Sequence, residues 1–162
     1  MDGKLRNMTA LYIVRGEQIL LLYRQGSRIV NNLYVGTAGG HFEKDELNDA
    51  TACVLRELQE ECGLCEADVK NLALRYVTLR LLDGEIRQNY YFFAEWNAGG
   101  KELISNEGRL EWHDLQKLSQ LDMPYSAKYM LEHYVKIGRE TNALYVGTAH
   151  RRGMNFCELQ EV

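Results

Sequence analysis

RELQEECGL, residues 56–64, tells more about this chain than any other stretch of it. Its carboxylates Glu57, Glu60 and Glu61 stand at positions i, i+3 and i+4, which share one face of an α-helix. Like charges at that spacing repel one another and weaken the helix. A divalent cation would turn the repulsion into binding, because carboxylate oxygens suit Mg²⁺ and Mn²⁺. The stretch therefore predicts a helix with a metal site for phosphate chemistry; the alternative is a solvated, Glu-rich helix face.

The flanking residues predict where this helix begins and ends. Asn48 is a suitable N-cap, and Gly63 suits the left-handed position that ends a helix. The apolar side chains between these ends share one stripe, formed by Ala50, Val54, Leu55, Leu58 and Cys62. Because the three carboxylates lie along one edge of that stripe, a helix packed on a sheet would hold them at its rim.

Apolar runs rich in β-formers predict the strands of a sheet. The predicted hairpins join residues 8–14 to 18–23, residues 72–82 to 86–96, and residues 144–146 to 155–159. Residues 33–35 and a segment with Leu110 and Trp112 are further strands, and the aromatic run 90–93 indicates a central one. Residues 25–32 form a polar loop, and a second helix runs from Pro124 to Ile137. This order of elements predicts an α/β sandwich with a mixed sheet.

The composition narrows the class of protein. A chain of 162 residues, 46% hydrophobic and 26% charged, is the size of one globular domain with a real core. Its formal net charge of −4, without a basic track, argues against binding to long nucleic acid. The sequence has no secretory signal and no apolar run long enough to span a membrane, which predicts a cytoplasmic protein without membrane contact. Its cysteines are expected to be reduced thiols, because Cys62 and Cys65 lack the second pair that a zinc site needs.

Gly40, then five residues and Glu46, and later the whole run of residues 56–64, resemble the signature box of the Nudix hydrolases. The second half of the box matches at every defined position. In the first half, nine residues separate Glu46 from Arg56, two more than in the family pattern. Ala38 and Asp45 also stand where Pro and Gly are common. The resemblance implies one Nudix hydrolase domain over residues 1–162, folded as an α/β/α sandwich with a mixed β-sheet, in which residues 40–64 form a loop-helix-loop box.

The resemblance also implies a set of metal-binding and catalytic residues. The expected metal ligands are the backbone carbonyl of Gly39 and the carboxylates of Glu57, Glu60, Glu61 and Glu107. The same four carboxylates are the expected catalytic residues, with Glu57 or the loop carboxylate as the general base. Glu107 is chosen as the loop carboxylate of the MutT-like branch, and Glu111 is its alternative.

Arg56 is expected to pair with Glu43 or Glu46 and thereby to fix the loop of the box onto the helix. Its alternative is an ordinary surface ion pair, which would contribute little stability. Gly40 and Gly63 complete the residues to which the resemblance assigns a structural role in the box.

Three residues are expected to bind substrate, and each has a plain structural alternative. Arg24 follows the second strand, as an Arg does in many MutT-like chains, and would meet a phosphate or face solvent. His41 follows the glycine pair and would touch a phosphate or lie at the surface. Tyr34, like Tyr125, would stack on a base or pack against the core.

The chemistry that fits these residues is hydrolysis of a diphosphate linkage with Mg²⁺, or Mn²⁺ in its place. The expected substrate is a nucleoside triphosphate or a nucleoside diphosphate derivative, and resemblance to the MutT-like branch implies an 8-oxo-dGTP diphosphatase type. ADP-ribose and dinucleotide polyphosphates stay open as substrates. The alternative from another class is a Nudix sensor that binds a nucleotide without cleaving it. The expected partner is a small-molecule nucleotide, with a homodimer left open.

Overall fold

The computed structural model describes residues 2–25 and 32–162 of the chain. Within these residues the strands are β1 (Lys4–Arg15), β2 (Gln18–Arg24), β3 (Leu33–Val35), β4 (Val69–Leu82), β5 (Glu85–Trp96), β6 (Gly108–Asp114), β7 (Leu144–His150) and β8 (Gly153–Leu159). The α-helices are α1 (Ala50–Cys62) and α2 (Tyr125–Lys136), and short 3₁₀ helices cover Glu66–Asp68, Leu115–Gln120 and Gly138–Glu140. No helix in the described ranges is both long and apolar enough to cross a membrane.

The strands form one mixed sheet with the hydrogen-bonded order β3-β2-β1-β5-β4-β7-β8. β1 and β3 pair with successive parts of one edge of β2, and β6 pairs along its other edge. β1 is parallel to β5, and β4 is parallel to β7, whereas the remaining pairs are antiparallel. Parallel strands need long crossover connections, and here the first crossover contains α1 and the second contains α2. The mixed sheet predicted from the sequence is confirmed.

A helix covers each face of this sheet. Successive side chains of a strand point to opposite faces, so the strands contribute to a core on each side. The core on the α1 face includes Leu11, Ile13, Leu20, Val54 and Leu58. The core on the α2 face includes Tyr12, Leu21, Tyr76, Phe93 and Met130. Full burial of a side chain of this size contributes about 1.5–3 kcal/mol. The layers are those of the α/β/α sandwich expected from the resemblance.

β1 and β2 diverge soon after the turn that joins them. They pair only from Ile13 to Arg15, and beyond this point β2 pairs with β3 instead. The segment after β3 fills the gap beside β1, where isolated bridges join Leu11 to Ala38 and Met8 to His41. The glycine pair therefore lies against the middle of the sheet, and a cavity opens next to it.

The helix of the box differs slightly from its prediction. Asp49, and not Asn48, is the N-cap, since its carboxylate accepts a hydrogen bond from the Ala52 amide at 2.9 Å. Gly63 ends the helix with φ 62°, the left-handed conformation that glycine adopts without strain, as predicted. Cys53 joins the buried stripe, and its thiol lies 3.3 Å from the Thr9 hydroxyl.

Several strand limits also differ from the prediction, while the hairpins are confirmed. β1 begins at residue 4 instead of 8, because its polar first residues pair with β5. β4 begins at residue 69 instead of 72 and contains an irregularity near Asn71, whose φ is 54°. Pro124 is the N-cap of α2 and precedes the first turn. The predicted polar loop falls largely on residues 26–31, which lie outside the described residues.

Candidate active site

Arg56 is the centre of the box, because its guanidinium joins the loop to the helix. Its Nε and Nη2 donate to the two carboxylate oxygens of Glu46 at 2.6 and 2.9 Å. Nη1 donates to Glu57 and to Glu60, each at 2.9 Å, and Nη2 also donates to the His41 carbonyl at 3.0 Å. Bidentate guanidinium–carboxylate pairs are strong and geometrically specific. The loop is thus fixed on α1 despite its two extra residues.

Glu46 is the loop carboxylate that takes this role, and Glu43 lies farther away. Glu46 is only 6% exposed, and its carboxylate also accepts a hydrogen bond from the Glu43 amide at 2.9 Å. The hydrogen bonds from Arg56 hold the pKa of Glu46 down at about 2. The Glu43 carboxylate is 3.9 Å from Arg56 and mostly exposed. Of the two partners proposed for Arg56, Glu46 therefore makes the close contact.

The Glu57 carboxylate lies directly against Gly40, in space that a side chain at residue 40 would occupy. A Cβ atom at Gly40 would collide with the Glu57 carboxylate. The Glu57 side chain is 13% exposed and keeps its contact with Arg56. Gly40 therefore lets a carboxylate of the helix lie directly against the loop backbone.

Glu61 lies one turn farther along α1, and its pKa is shifted in the direction opposite to that of Glu46. Burial raises the pKa of Glu61 to about 7, and the nearby charges of Glu57 and Glu107 raise it as well. A hydrogen bond from the Gly39 amide, 3.1 Å long, works in the opposite direction. Three carboxylates thus repel one another at the edge of the cavity, an arrangement that a divalent cation would relieve.

The backbone of Gly39 faces Glu61. The carbonyls of Ala38 and Gly40, on either side of it, accept hydrogen bonds from the Leu11 and Thr9 amides at 2.8 Å. Because peptide groups alternate in extended backbone, the Gly39 amide and carbonyl point away from β1, to the side of Glu61. Within residues 2–25 and 32–162, no hydrogen-bond donor reaches this carbonyl, so it is available as a ligand.

Glu107 reaches the site from the loop before β6. Its carboxylate accepts a hydrogen bond from Arg24 at 2.7 Å. Asn106 attaches this loop to α1, since its amide and side chain donate to the Glu61 and Glu60 carbonyls at 3.1 Å. Glu111, the alternative to Glu107, accepts a hydrogen bond from Tyr34 at 3.1 Å instead.

The donor set fits Mg²⁺, although the carboxylates are held by protein partners. In the described part of the chain, no three His, Cys, Asp or Glu side chains are arranged to hold a metal ion as they stand. Glu57, Glu61, Glu107 and the Gly39 carbonyl supply the hard oxygen ligands that Mg²⁺ prefers. Glu60 is 57% exposed, and its carboxylate accepts a hydrogen bond from Arg56 Nη1, the atom that also donates to Glu57. Its position favours a role in holding Arg56.

A cavity of about 300 Å³ lies beside Glu61 on the α2 face of the sheet. Its walls come from β1, β4, β5 and the first turn of α2. Arg24 lines the cavity, and its Nε is buried without a hydrogen-bond partner among the described residues. A guanidinium at the wall of a cavity is suited to an anionic ligand.

The other predicted substrate-binding residues are placed differently. His41 does not line this cavity; its Nε2 accepts a hydrogen bond from Arg6 at 3.0 Å, and burial lowers its pKa. Tyr34 packs against Tyr23 at 4.8 Å between ring centres and does not line the cavity. Tyr125 does line it, and its hydroxyl donates to the His150 carbonyl at 2.6 Å.

Two features of the site were absent from the predictions made on sequence. The attachment through Asn106 had a weak signal, an Asn directly before the loop carboxylate. A second feature, the arginines in the wall of the cavity, had no local signal because they come from three strands that only the fold brings together.

The NUDIX domain family model matches residues 4–134 of the chain. No curated protein sequence matches it. Among solved structures, the mMutator MutT protein from Bacillus halodurans is 25% identical, with a TM-score of 0.69, and the alignment covers 93% of this chain and 97% of that one. The E. coli ORF135 protein is 24% identical over 87% of this chain and 96% of that one, with a TM-score of 0.67.

A third solved structure is the NUDIX domain of Shewanella oneidensis NrtR complexed with ADP ribose. It is 15% identical over 87% of this chain and 90% of that one, with a TM-score of 0.61. At this level of identity the likeness concerns the fold alone.

Proposed function

This chain belongs to the Nudix family, and on that premise we propose that it is a Mg²⁺-dependent pyrophosphohydrolase that cleaves the diphosphate linkage of a nucleotide. The observation that carries the proposal is the position of Glu61, which is half-buried near Glu57 and Glu107 and lines the edge of a cavity. Carboxylates that repel Glu61, together with the adjacent Gly39 carbonyl, supply the hard oxygen ligands that a divalent cation prefers. Mn²⁺ has similar ligand preferences and could replace Mg²⁺.

The metal would be held by Glu57, Glu61, Glu107 and the Gly39 carbonyl. When bound, Mg²⁺ neutralises phosphate charge and lowers the pKa of a water molecule. The protein residues orient the diphosphate and accept the proton of the attacking water. Glu57 and Glu107 are the two candidates for this base, because both lie beside Glu61.

Arg24 is the positively charged side chain that would contact a phosphate of the substrate. Its Nη2 holds Glu107, and the Arg24 side chain lines the cavity beside Glu61. A substrate phosphate beside this side chain would accept a hydrogen bond from the guanidinium. The cavity then receives the nucleoside, and Tyr125 is part of its wall.

The substrate is proposed to be a nucleoside triphosphate or a nucleoside diphosphate derivative. Structural likeness to the MutT protein supports the first type, including 8-oxo-dGTP, and likeness to the NrtR domain bound to ADP ribose supports the second. The decisive test is an assay of nucleoside triphosphates, nucleotide sugars, ADP-ribose and dinucleotide polyphosphates with Mg²⁺, in which phosphate or pyrophosphate release is measured. Release that depends on Mg²⁺ and stops with a chelator is expected. No release from any member of the panel would reject the proposal.

Binding without cleavage is the second candidate function. The specific observation in its favour is that Arg56 and Arg24 already pair with Glu57, Glu60 and Glu107. Nucleotide binding measured by calorimetry, together with no turnover at high enzyme concentration, would support this alternative. The presence of every helical carboxylate of the box favours the enzyme.

A further inference from the structure

Three arginines stand side by side across the centre of the sheet. Arg6 on β1 is the direct partner of Arg87 on β5, and Arg87 is the direct partner of Arg80 on β4. All three line the cavity that begins at Glu61. Like charges at directly opposite positions of neighbouring strands destabilise a sheet. We call these residues the arginine row.

The described residues do little to neutralise the arginine row. Arg87 Nε donates to Glu85 at 3.0 Å, and this is the one ion pair that the row makes within residues 2–25 and 32–162. Arg6 donates to the ring of His41, whose Nε2 accepts at 3.0 Å, and Arg80 lies over the Tyr125 ring at 4.6 Å. Three positive charges against one carboxylate leave a formal charge of +2 along this wall of the cavity.

The arginine row and the proposed metal site are separated along β1. Gly39, which faces Glu61, is packed against the backbone of Ala10 on β1. Arg6 is four residues farther along this strand, which corresponds to about 13 Å at the usual rise of ~3.3 Å per residue. A ligand that spans the cavity therefore has one end at the carboxylates and the other at the guanidinium groups.

We propose that the arginine row binds a second phosphate group of the substrate, a phosphate monoester carried at the end remote from the diphosphate that is cleaved. The inference rests on the proposed function for its orientation, because the diphosphate is placed at Glu61. A phosphate monoester carries roughly −1.5 to −2 charges at pH 7 and has three strong acceptor oxygens. It thus matches the surplus charge, and guanidinium forks suit its geometry better than ammonium groups do.

The substrate class that follows is a nucleotide diphosphate derivative with an additional phosphate on the nucleoside part. Such substrates occur in pairs that differ by one phosphate monoester, for example NAD and NADP, or dephospho-coenzyme A and coenzyme A. We expect kcat/KM of the wild-type protein to be about tenfold or more higher for the phosphorylated member, as charge-assisted hydrogen bonds predict.

Variants of the row test whether the arginines cause this preference. Arg87→Gln and Arg80→Gln should each reduce the ratio of kcat/KM within a pair by about tenfold, mainly through KM, and Arg87→Lys should restore part of it. The matched control is Arg15→Gln, which removes an exposed guanidinium from the other end of β1. This control should keep the wild-type ratio. Thermal melting of every variant shows that the fold is intact.

The outcomes separate this inference from the proposed hydrolase. Hydrolysis with equal kcat/KM for both members of every pair, or a preference that Arg87→Gln leaves unchanged, would overturn the arginine row as a phosphate site and leave the hydrolase standing. If the arginine variants changed only the preference among nucleotide bases, the arginine row would also be overturned as a phosphate site.

A binding measurement decides the case in which nothing is cleaved. Calorimetric titration without metal compares adenosine 5′-monophosphate with adenosine 3′,5′-bisphosphate and adenosine 2′,5′-bisphosphate. Tighter binding of either bisphosphate, lost in Arg87→Gln and kept in Arg15→Gln, would support the phosphate site while the hydrolase proposal fails. Equal binding of all three nucleotides would reject the phosphate site.

Discussion

The two halves of the box are built in different ways. In the helical half, residues 50–63, the spacing of Glu57 and Glu61 along α1 sets the carboxylates on one side of a rigid element. In the loop half, residues 39–49, the ends are fixed by tertiary contacts, with Gly40 held by β1 and Glu46 held by Arg56. The helical half follows the family pattern, and the loop half departs from it.

The difference shows where length can vary without moving the site. Residues 47–49, between Glu46 and the first turn of α1, are exposed, and Leu47 is 59% exposed. Both anchors of the loop precede this segment, so length added here would face solvent. A loop tolerates such insertions because loop-closure entropy grows slowly with length.

Glu61→Gln tests the helical half and should have the largest effect. The amide removes a metal ligand while it keeps the shape of the side chain, so Mg²⁺-dependent turnover should fall by about 100- to 1,000-fold. The melting temperature should change little, because a neutral group replaces a buried carboxylate. Glu158→Gln, an exposed change on β8, is the control and should retain activity. Full activity in Glu61→Gln would remove Glu61 from the metal site.

Arg56→Ala tests the link between the halves. It leaves Glu46 buried without its partner, and the Arg56 side chain is itself only 21% exposed. We expect a loss of about 2–3 kcal/mol in the free energy of unfolding, measured with urea. Arg56→Lys keeps the charge but cannot donate to both oxygens from one planar group, so its loss should be smaller. An unchanged unfolding midpoint in Arg56→Ala would show that the loop is held by other contacts.

Glu107→Ala and Glu111→Ala compare the two candidate loop carboxylates. Glu107 lies close enough to Glu61 to raise its pKa, whereas Glu111 is engaged by Tyr34. Turnover should fall by about 10- to 100-fold in Glu107→Ala and much less in Glu111→Ala. The reverse order of activities would transfer the loop role to Glu111.

The pH dependence of Mg²⁺ binding should distinguish the two halves of the box, because Glu61 and Glu46 ionise in different pH ranges. Burial raises the pKa of Glu61 to about 7, so protons compete with the metal and the apparent affinity should fall by about tenfold per pH unit below that value. Glu46, whose pKa Arg56 lowers to about 2, stays ionised throughout this window. Its contribution to stability is present above its ordinary pKa of 4.5 and is lost as pH falls toward 2. Calorimetry between pH 5.5 and pH 8 measures the metal affinity, and a flat profile would contradict the raised pKa.

The parts of the molecule predicted from sequence are those that local patterns encode. A single glycine, Gly63, predicted the end of α1, and the pair Asp83-Gly84 predicted the turn between β4 and β5. The N-cap was misplaced by one residue because Asn48 and Asp49 are both good capping residues, and only the hydrogen bond to Ala52 distinguishes them.

The parts that were missed depend on strand register and on loop attachment. Arg6, Arg80 and Arg87 have no common motif in the sequence, and they become neighbours only when three strands pair. The attachment of Asn106 to the carbonyls at the end of α1 is likewise a long-range contact. The polar first residues of β1 concealed its length because their partners on β5 lie far along the chain.

β1 pairs with β2 over only three residues, so most of β1 is held by β5, and this affects the order in which the molecule folds. Gly39 is positioned by β1, and β1 is aligned along eleven residues with β5. Parallel strands so distant in the chain join late, since their contact closes a long loop. We therefore expect α1 and the β4–β5 and β7–β8 hairpins to form first, and catalytic competence to arise only in the closing step of refolding, when β1 docks on β5.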